Sequence, residues 1–327
     1  MKSAILSFVG LLSIATTLPA TTAFAQNFPN RMVRFVVPYP AGGGVDGLAR
    51  PIAEALAKKW GQSVIIENKP GASTMIGGEQ VARSPADGYT LLFTSDSTVT
   101  SNPHLFKKPS FDPVKDLAPV TQLIDLHQML VVHPSVPAGT LQELVAFAKA
   151  NPGKLNYGSY GNGSQPHLLF EMLKKQTGID IVAVSYRGIA PALTDTIGGA
   201  VQMTLGGAAT TGQYIETGRL KALAVGRKTR LPTQPSVPTL EEAGFPEIDP
   251  GSWFGLFAPA GTPREIVLEI QKNVAAILKE KDFSDRYVEG MGYTGIGSSP
   301  DEFSQFIKKD LEYKGRLIAA AGAEIQQ

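Results

Sequence analysis

The sequence predicts an α/β fold of two similar lobes, each a mostly parallel sheet flanked by helices. Three observations carry that prediction. From residue 35 onward, short β-branched strands alternate with helical stretches, the pattern of a parallel sheet wound with helices. A strand that empties into glycines at a helix start occurs twice, at Gly42-Gly-Gly44 and at Gly158-Ser-Tyr-Gly-Asn-Gly-Ser164. The 327 residues also exceed the roughly 250–300 that one core serves.

The elements follow in order. Phe35, Val36 and Val37 read as a buried strand that Pro38 and Pro40 end, and Leu48, Ile52, Ala55 and Leu56 recur at helical spacing up to about Trp60. Pro51 inside that stretch predicts a kink or a late start. Residues 63–67 and 89–94 are further strands, with a helix ending near Arg83 between them. Residues 96–120 are irregular, and 120–132 read as one extended crossing. Thr140-Leu-Gln-Glu143 is a capping box opening a helix, and 155–157 is the strand before the second glycine loop, with Ser164 as N-cap. Strands at 181–186, 201–205 and 220–225 alternate with helices at 190–197 and near Tyr214. Residues 231–250 are a proline-rich connector and 252–257 are extended. Thr262-Pro-Arg-Glu265 and Ser299-Pro-Asp-Glu302 are two more capping boxes, each opening a terminal helix. Those helices have few strands of their own, so they are expected to return to the first lobe. The expected division is 26–125 with 251–327 as lobe 1 and 126–250 as lobe 2.

The first residues read as an export leader. Lys2 precedes a mostly apolar run from 4 to 18, and Ala23-Phe-Ala25 is a small-x-small signal that places cleavage near Ala25/Gln26. The run is shorter than the about 20 residues a membrane span needs, and no later run reaches that length. No cysteine occurs, which excludes disulfides, thiolate chemistry and a lipidated cysteine. Charge is balanced, with 30 basic and 29 acidic residues, so a nucleic-acid or membrane-surface partner has no support.

A glycine loop at a helix start aims unpaired N–H groups at one spot and favours an anion. Gly42-Gly-Gly-Val-Asp-Gly47 formally matches the dinucleotide pattern, with Glu67 at the end of the next strand. The two prolines between Val37 and Gly42 oppose that reading, because the dinucleotide turn follows its strand directly. No cofactor is expected. No serine sits in G-x-S-x-G, and His104, His127, His133 and His167 show no metal-ligand spacing. His104 and His133 are expected to be solvated, while His127 is open between a pocket role and packing. His167 follows the second loop, and donating to an anion and capping its own loop are both open. Ser73, Thr74, Thr94, Ser95, Ser159 and Ser164 all fall just beyond the C-terminal ends of predicted strands, the edge where open α/β sheets bind ligands. Hydroxyls and bare amides suit a carboxylate without a buried countercharge.

These residues resemble the Bug-type periplasmic solute receptors of tripartite tricarboxylate transporters over nearly the whole chain after the leader. The resemblance rests on an ordered set. It comprises Val37-Pro-Tyr-Pro-Ala-Gly-Gly-Gly-Val-Asp46, Glu67-Asn-Lys-Pro-Gly71, Pro85-Ala-Asp-Gly-Tyr-Thr-Leu-Leu92, the second glycine loop with His167-Leu168, Tyr186-Arg-Gly188, Pro238-Thr239 with Glu242-Ala-Gly-Phe245, and Pro259-Ala-Gly-Thr-Pro263. It implies a periplasmic-binding-protein clamshell (a Venus flytrap), a monomer without enzymatic activity that closes on a small carboxylate and delivers it to membrane permease subunits. By that pattern Tyr39, Ala41, Gly43 and Asp46 belong to the first jaw, and Ser159, Gly161, Asn162, Gly163, Ser164 and His167 to the second. Asp46 would repel an anion, so capping its own helix or ordering water is its expected role. Gln202, where such receptors often carry an acid, disfavours an amine-bearing ligand, and an aromatic carboxylate against Tyr39 or Phe170 gains ground. Two alternatives stay open: an exported ester hydrolase using Ser159 or Ser164 with His167, and a receptor feeding a signalling partner.

Overall fold

The computed structural model describes residues 28–161, 163–186, 188–226, 229–231 and 233–323; the leader and Asn162 lie outside the described residues. Two mixed sheets, each flanked by helices, make two lobes. The first sheet comprises β1 (Val33–Val37), β2 (Val64–Asn68), β3 (Thr90–Ser95), β4 (Leu117–Leu126), β10 (Ser252–Pro259) and β11 (Tyr293–Gly295), in the order β11-β4-β10-β3-β1-β2. The second comprises β5 (Gln128–Val132), β6 (Leu155–Ser159), β7 (Ile181–Ser185), β8 (Met203–Gly207) and β9 (Lys221–Gly226), in the order β7-β6-β8-β5-β9. Both are parallel except where β10 runs against β3 and β4, β11 against β4, and β5 against β8 and β9.

Strand alternation builds a core on each face of the first sheet. Val33, Phe35 and Val37 pack toward helices α1 (Gly44–Trp60) and α8 (Arg264–Lys279), with Leu48, Ile52, Ile270 and Val274. Val36, between them, points the other way, toward Met75 and Val81 of α2 (Met75–Ala82) and Phe303 and Ile307 of α10 (Pro300–Ala321). Burial on both faces is why these strands read as near-continuous apolar runs. In the second lobe Leu130 and Val132 face α4 (Leu141–Ala150) and α5 (Gln165–Thr177), while Met129 and Val131 face α6 (Ile189–Ile197) and α7 (Ala208–Glu216).

The chain passes between lobes at two neighbouring places. The stretch expected to be one extended crossing is two strands, β4 and β5, parted only at His127. Leu126 pairs with Ser252 and Gln128 pairs with Gly226, so outward and return passages lie side by side. The return connector packs rather than floats: Leu240, Ala243 and Ile248 enter the second core. α10 serves both lobes, with Phe303 and Ile307 in a first-lobe core and Leu317 and Ile318 packed in the second.

Several local expectations need correction. α1 runs unbroken from Gly44 through Pro51, so the proline does not delay its start. The Ser299 capping box forms in full, but Thr262 does not cap α8; its hydroxyl donates to Pro259 O at 2.8 Å, and Pro263 holds the N-cap position. Proline fixes an extended entry there, and the box loses its place. The irregular stretch after β3 contains a π-helical turn over 97–101 and the short α3 (Asn102–Leu105). α9 (Lys281–Tyr287) and β11 had no clear sequence signal. His104 is not simply solvated, since its Nε2 meets Leu311 O at 2.9 Å on α10.

Candidate ligand-binding cleft

A cavity of about 840 Å³ lies between the lobes, where the C-terminal edges of both sheets face one another. Its first-lobe wall comes from the loops after β1, β2 and β3, from the starts of β10 and β11, and from α9. The second-lobe wall comes from the segments after β6, β7 and β8 and from Gln128 at the start of β5. Parallel strands deliver their loops to one edge, so residues distant in sequence converge there.

The first glycine loop is held from below. Asp46 is 2 % exposed, and its carboxylate accepts from Gly42 N–H at 2.8 Å, from Arg50 at 2.8 and 2.9 Å, and from Asn68 Nδ2 at 2.9 Å. Burial alone would raise its pKa, but Arg50, the Gly42 amide and Asn68 outweigh it and hold the acid below its ordinary value. Asp46 therefore shapes the loop and does not line the cavity, while Gly43 and Gly44 do. Tyr39 lines it with its hydroxyl 2.7 Å from Ser95 Oγ; burial raises the phenol's pKa and keeps the proton on.

The loop after β2 is strained. Ala72, Ser73 and Thr74 carry φ of 43°, 50° and 81°, left-handed values that cost a side-chain-bearing residue on the order of 1 kcal/mol each. Asn102 holds this turn by donating to Ser73 O at 2.7 Å and to Thr74 Oγ1 at 3.2 Å. Thr98 donates to Thr74 Oγ1 at 2.7 Å and stands 2.5 Å from Thr94 Oγ1, so a chain of hydroxyls runs inward from the cavity. Ser73, Thr74 and Ser95 line the cavity; Thr94 is fully buried behind it.

The second loop is organised by neutral groups. Ser164 is the N-cap residue of α5 by position, yet its hydroxyl donates to Gly161 O at 2.6 Å instead of accepting from the helix. Ser159 Oγ lies 3.1 Å from Ser164 Oγ and 3.3 Å from the Gly161 N–H that it accepts. Gly163 N–H donates to His167 Nδ1 at 3.2 Å, which assigns the neutral ring's proton to Nε2. Burial lowers the His167 pKa, against a smaller upward pull from Glu171. Of this group Gly163 and Ser164 line the cavity, whereas Ser159, Gly161 and His167 support it from behind. Ala41 stands outside the lining as well. Among the described residues no hydrogen bond joins His167 to Ser159 or Ser164, so the hydrolase arrangement lacks its base–nucleophile contact.

Several lining residues had no signal in the sequence reading. Tyr160 and Gln165 enter from the second lobe, and Gln165 Nε2 reaches across to both oxygens of Asp96 at 3.3 Å. Asp96 is buried with Lys314 at 3.0 Å and also accepts from Ser252. Those two charges come from β3 and α10, a pairing no local pattern announces. Phe254, Tyr287 and Tyr293 supply the aromatic wall. The aromatic expected from α5 is misplaced: Phe170 is fully buried, stacked 4.4 Å from Tyr157. The weight given to Gln202 also falls. It sits at the N-terminal edge of the second sheet, accepting from Asn156 N–H at 2.8 Å and outside the lining. His127 packs in the crossing, its Nε2 2.8 Å from Thr294 Oγ1.

A two-lobed fold with facing glycine loops and a cleft between them defines a solute-binding protein of the periplasmic type. The chain belongs to the tripartite tricarboxylate transporter family receptors, whose pattern matches residues 48–323. It is similar to Protein BugT of Bordetella pertussis (strain Tohama I), 32 % identical over 323 residues covering 98 % of each chain. Among solved structures it is similar to R. palustris Rpa4515 with adipate, at TM-score 0.82 and 34 % identity over 91 % of this chain and 99 % of that one. The periplasmic binding protein BugD gives TM-score 0.79 and 32 % identity over 91 % and 100 %.

Proposed function

We propose that this protein is a periplasmic receptor that captures a small carboxylated solute between its lobes and delivers it to the membrane permease subunits of a tripartite tricarboxylate-type transporter. In this reading residues 1–25 are the export leader, and the mature monomer turns nothing over. One observation carries it: neutral donors from two lobes converge on a cleft whose described lining contains no Asp or Glu. A carboxylate entering that space meets glycine amides and serine and threonine hydroxyls, and no acid to repel it. Gly43, Gly44, Ser73 and Ser95 would hold it from the first lobe, and Gly163 and Ser164 from the second once their bonds to His167 and Gly161 are exchanged for the solute. Contacts to both lobes make closure favourable only when the solute is present, a population shift set by differential affinity. The adipate carried by Rpa4515 supports a carboxylated organic acid as ligand class.

Two measurements test this. Mass spectrometry of small molecules that co-purify should find a carboxylate, and a melting-temperature screen of mono-, di- and tricarboxylates should give a stabilising hit. At about 100 times its dissociation constant a ligand adds roughly 2.7 kcal/mol of apparent stability. The ligand should be recovered unchanged after incubation; turnover of an ester would displace the receptor reading.

A further inference from the structure

One buried acid joins the two lobes beside the cleft. Asp96 follows Ser95 at the end of β3 and is fully buried, and its carboxylate accepts from Lys314 Nζ at 3.0 Å and from the Ser252 hydroxyl. Those two partners belong to one side of the cleft. Ser252 opens β10, which pairs with β3 through Phe254 and Ser95, and Lys314 also donates to Gly251 O at 3.2 Å. Gln165, the first residue of α5, is the partner from the other lobe, its Nε2 standing 3.3 Å from each Asp96 oxygen.

That charge orients the Gln165 amide. A carboxylate accepts and does not donate, so Nε2 turns toward Asp96 and Oε1 turns back, where it accepts from the Tyr160 hydroxyl at 3.3 Å. Tyr160 and Gln165 flank the glycine tip of the second loop, residues 161–164, and both line the cleft. The tip therefore hangs between two residues that are tied, one through the other, to the first lobe. Gly163 also lies against Leu105 of α3, so the polar and apolar contacts of the tip fall on one first-lobe segment, 96–105. Withdrawal of α5 from the end of β3 breaks the Gln165 contact, while Ser252 and Lys314 stay with Asp96.

We propose that the Gln165–Asp96 contact is a closure tie: it holds the second glycine loop against the first lobe without solute, and its strength sets how much of the unliganded protein is closed. The proposal rests on the receptor reading above, in which binding and closure are one equilibrium. A receptor that is closed for a fraction of the time binds with its intrinsic affinity reduced by that fraction, so weakening the tie weakens every solute by one common factor. Gln165 is then a positioning residue. Loss of a direct solute contact would instead weaken solutes unequally, according to their structure. The tie also depends on a neutral group at position 165. Lys314 already answers two acids, Asp96 and Asp310, so a carboxylate in place of the amide would meet Asp96 with no free cation to offset it.

Spin-label distance measurements on the solute-free protein test this, and the absence of native cysteine leaves only introduced ones to label. Lys59→Cys on α1 and Glu216→Cys on α7 place the labels at exposed sites outside the cleft, one on each lobe. With Gln165 in place, a short interlobe distance should be populated. Gln165→Glu should move that population to longer distances, and Gln165→Met, similar in length but without hydrogen bonds, should move part of it. An acid is favoured in the first turn of a helix, so α5 and the far-ultraviolet spectrum should survive the glutamate change. Identical distance distributions with Gln165 and with Gln165→Glu, or long distances alone with Gln165 in place, would overturn the tie. The measurement uses no solute, so that failure would leave the receptor reading standing, whereas an empty carboxylate screen would overturn the receptor reading and leave the measured distances as they are.

Discussion

The two glycine loops occupy equivalent places in two lobes of matching strand order, yet they are stiffened by different chemistry. In sheet one the sequence β2-β1-β3, then an antiparallel strand, then β4, is repeated in sheet two as β7-β6-β8, then antiparallel β5, then β9. The first loop is pinned by a buried carboxylate that takes bonds from Gly42, Arg50 and Asn68. The second is pinned by hydroxyls and a neutral imidazole, with Ser159, Ser164 and His167 bonded to the loop's own backbone. Duplicate topology therefore does not fix how a loop is held; it fixes only where the loop points. The first engages Gly42 and leaves Gly43 and Gly44 to line the cleft, the second bonds the Gly163 N–H to His167, and neither puts an acid in the described lining.

Substitutions that break this comparison should act most strongly where the lobes meet. Gly163 has φ of +72°, and a Cβ there would stand 2.4 Å from Leu105 Cδ1 across the cleft. Gly163→Val combines left-handed strain with that collision, and its solute affinity should fall by about 100-fold, the equivalent of roughly 2.7 kcal/mol. Calorimetry checks the loss, and an unaltered far-ultraviolet spectrum checks the fold. Gly161→Val should weaken binding less, because nothing lies within 4 Å of its Cβ position and only the backbone conformation, φ +121°, resists it.

Removing the first loop's anchor comes next. Asp46→Ala leaves the Gly42 amide and Asn68 without their acceptor and should destabilise the protein by about 2 kcal/mol in denaturant unfolding. Asp46→Asn, which keeps the shape, should cost less than the alanine change.

The two anchors should also separate by pH. His167 has a pKa below that of the unfolded chain, so the unfolded state takes up its proton first and stability declines as pH falls below about 6.5. Asp46 likewise has a depressed folded value, so its contribution is present above the ordinary aspartate range, near 3.9, and is lost as pH falls through the folded value. Unfolding free energies measured across pH should therefore show two acid limbs. His167→Gln should flatten the upper limb only, and Asp46→Asn the lower.

The smallest effect concerns the strained turn that stands beside the first loop. Ser73→Gly relieves a left-handed backbone at φ 50° and should raise stability by up to about 1 kcal/mol. It should also weaken the solute slightly, since one lining hydroxyl is removed. A higher melting temperature with unchanged affinity would assign Ser73 to the turn alone.

Much of this was legible before the fold. Short apolar runs bounded by glycine and proline marked β1, β2, β3 and β6; the sheet-edge rule pointed to Ser73, Thr74, Ser95 and Ser164, and the family resemblance to Tyr39, Gly43 and Gly163, all of which line one cleft. What escaped lay either one layer behind or in a different segment altogether. Thr94 follows the same rule as Ser95, but alternation along β3 turns these neighbours to opposite sides, and Ser159 ends β6 behind the loop that Ser164 closes. Asp96, Lys314 and Ser252 meet from β3, α10 and β10, and that meeting depends on how the return passage docks. Arg286 lines the cleft from a short helix between two clear ones, without any local pattern that points there.

The sequence by itself determined the layered α/β class, the doubled glycine loop and the neutral character of the donors, because local sterics and periodicity act over a few residues at a time. Only the tertiary structure decided which hydroxyls face the cleft, how Asp46 is neutralised, and that Gln165 of the second lobe meets Asp96 of the first. Those outcomes depend on strand order and on the two crossings beside His127, which bring segments more than a hundred residues apart within a few ångströms.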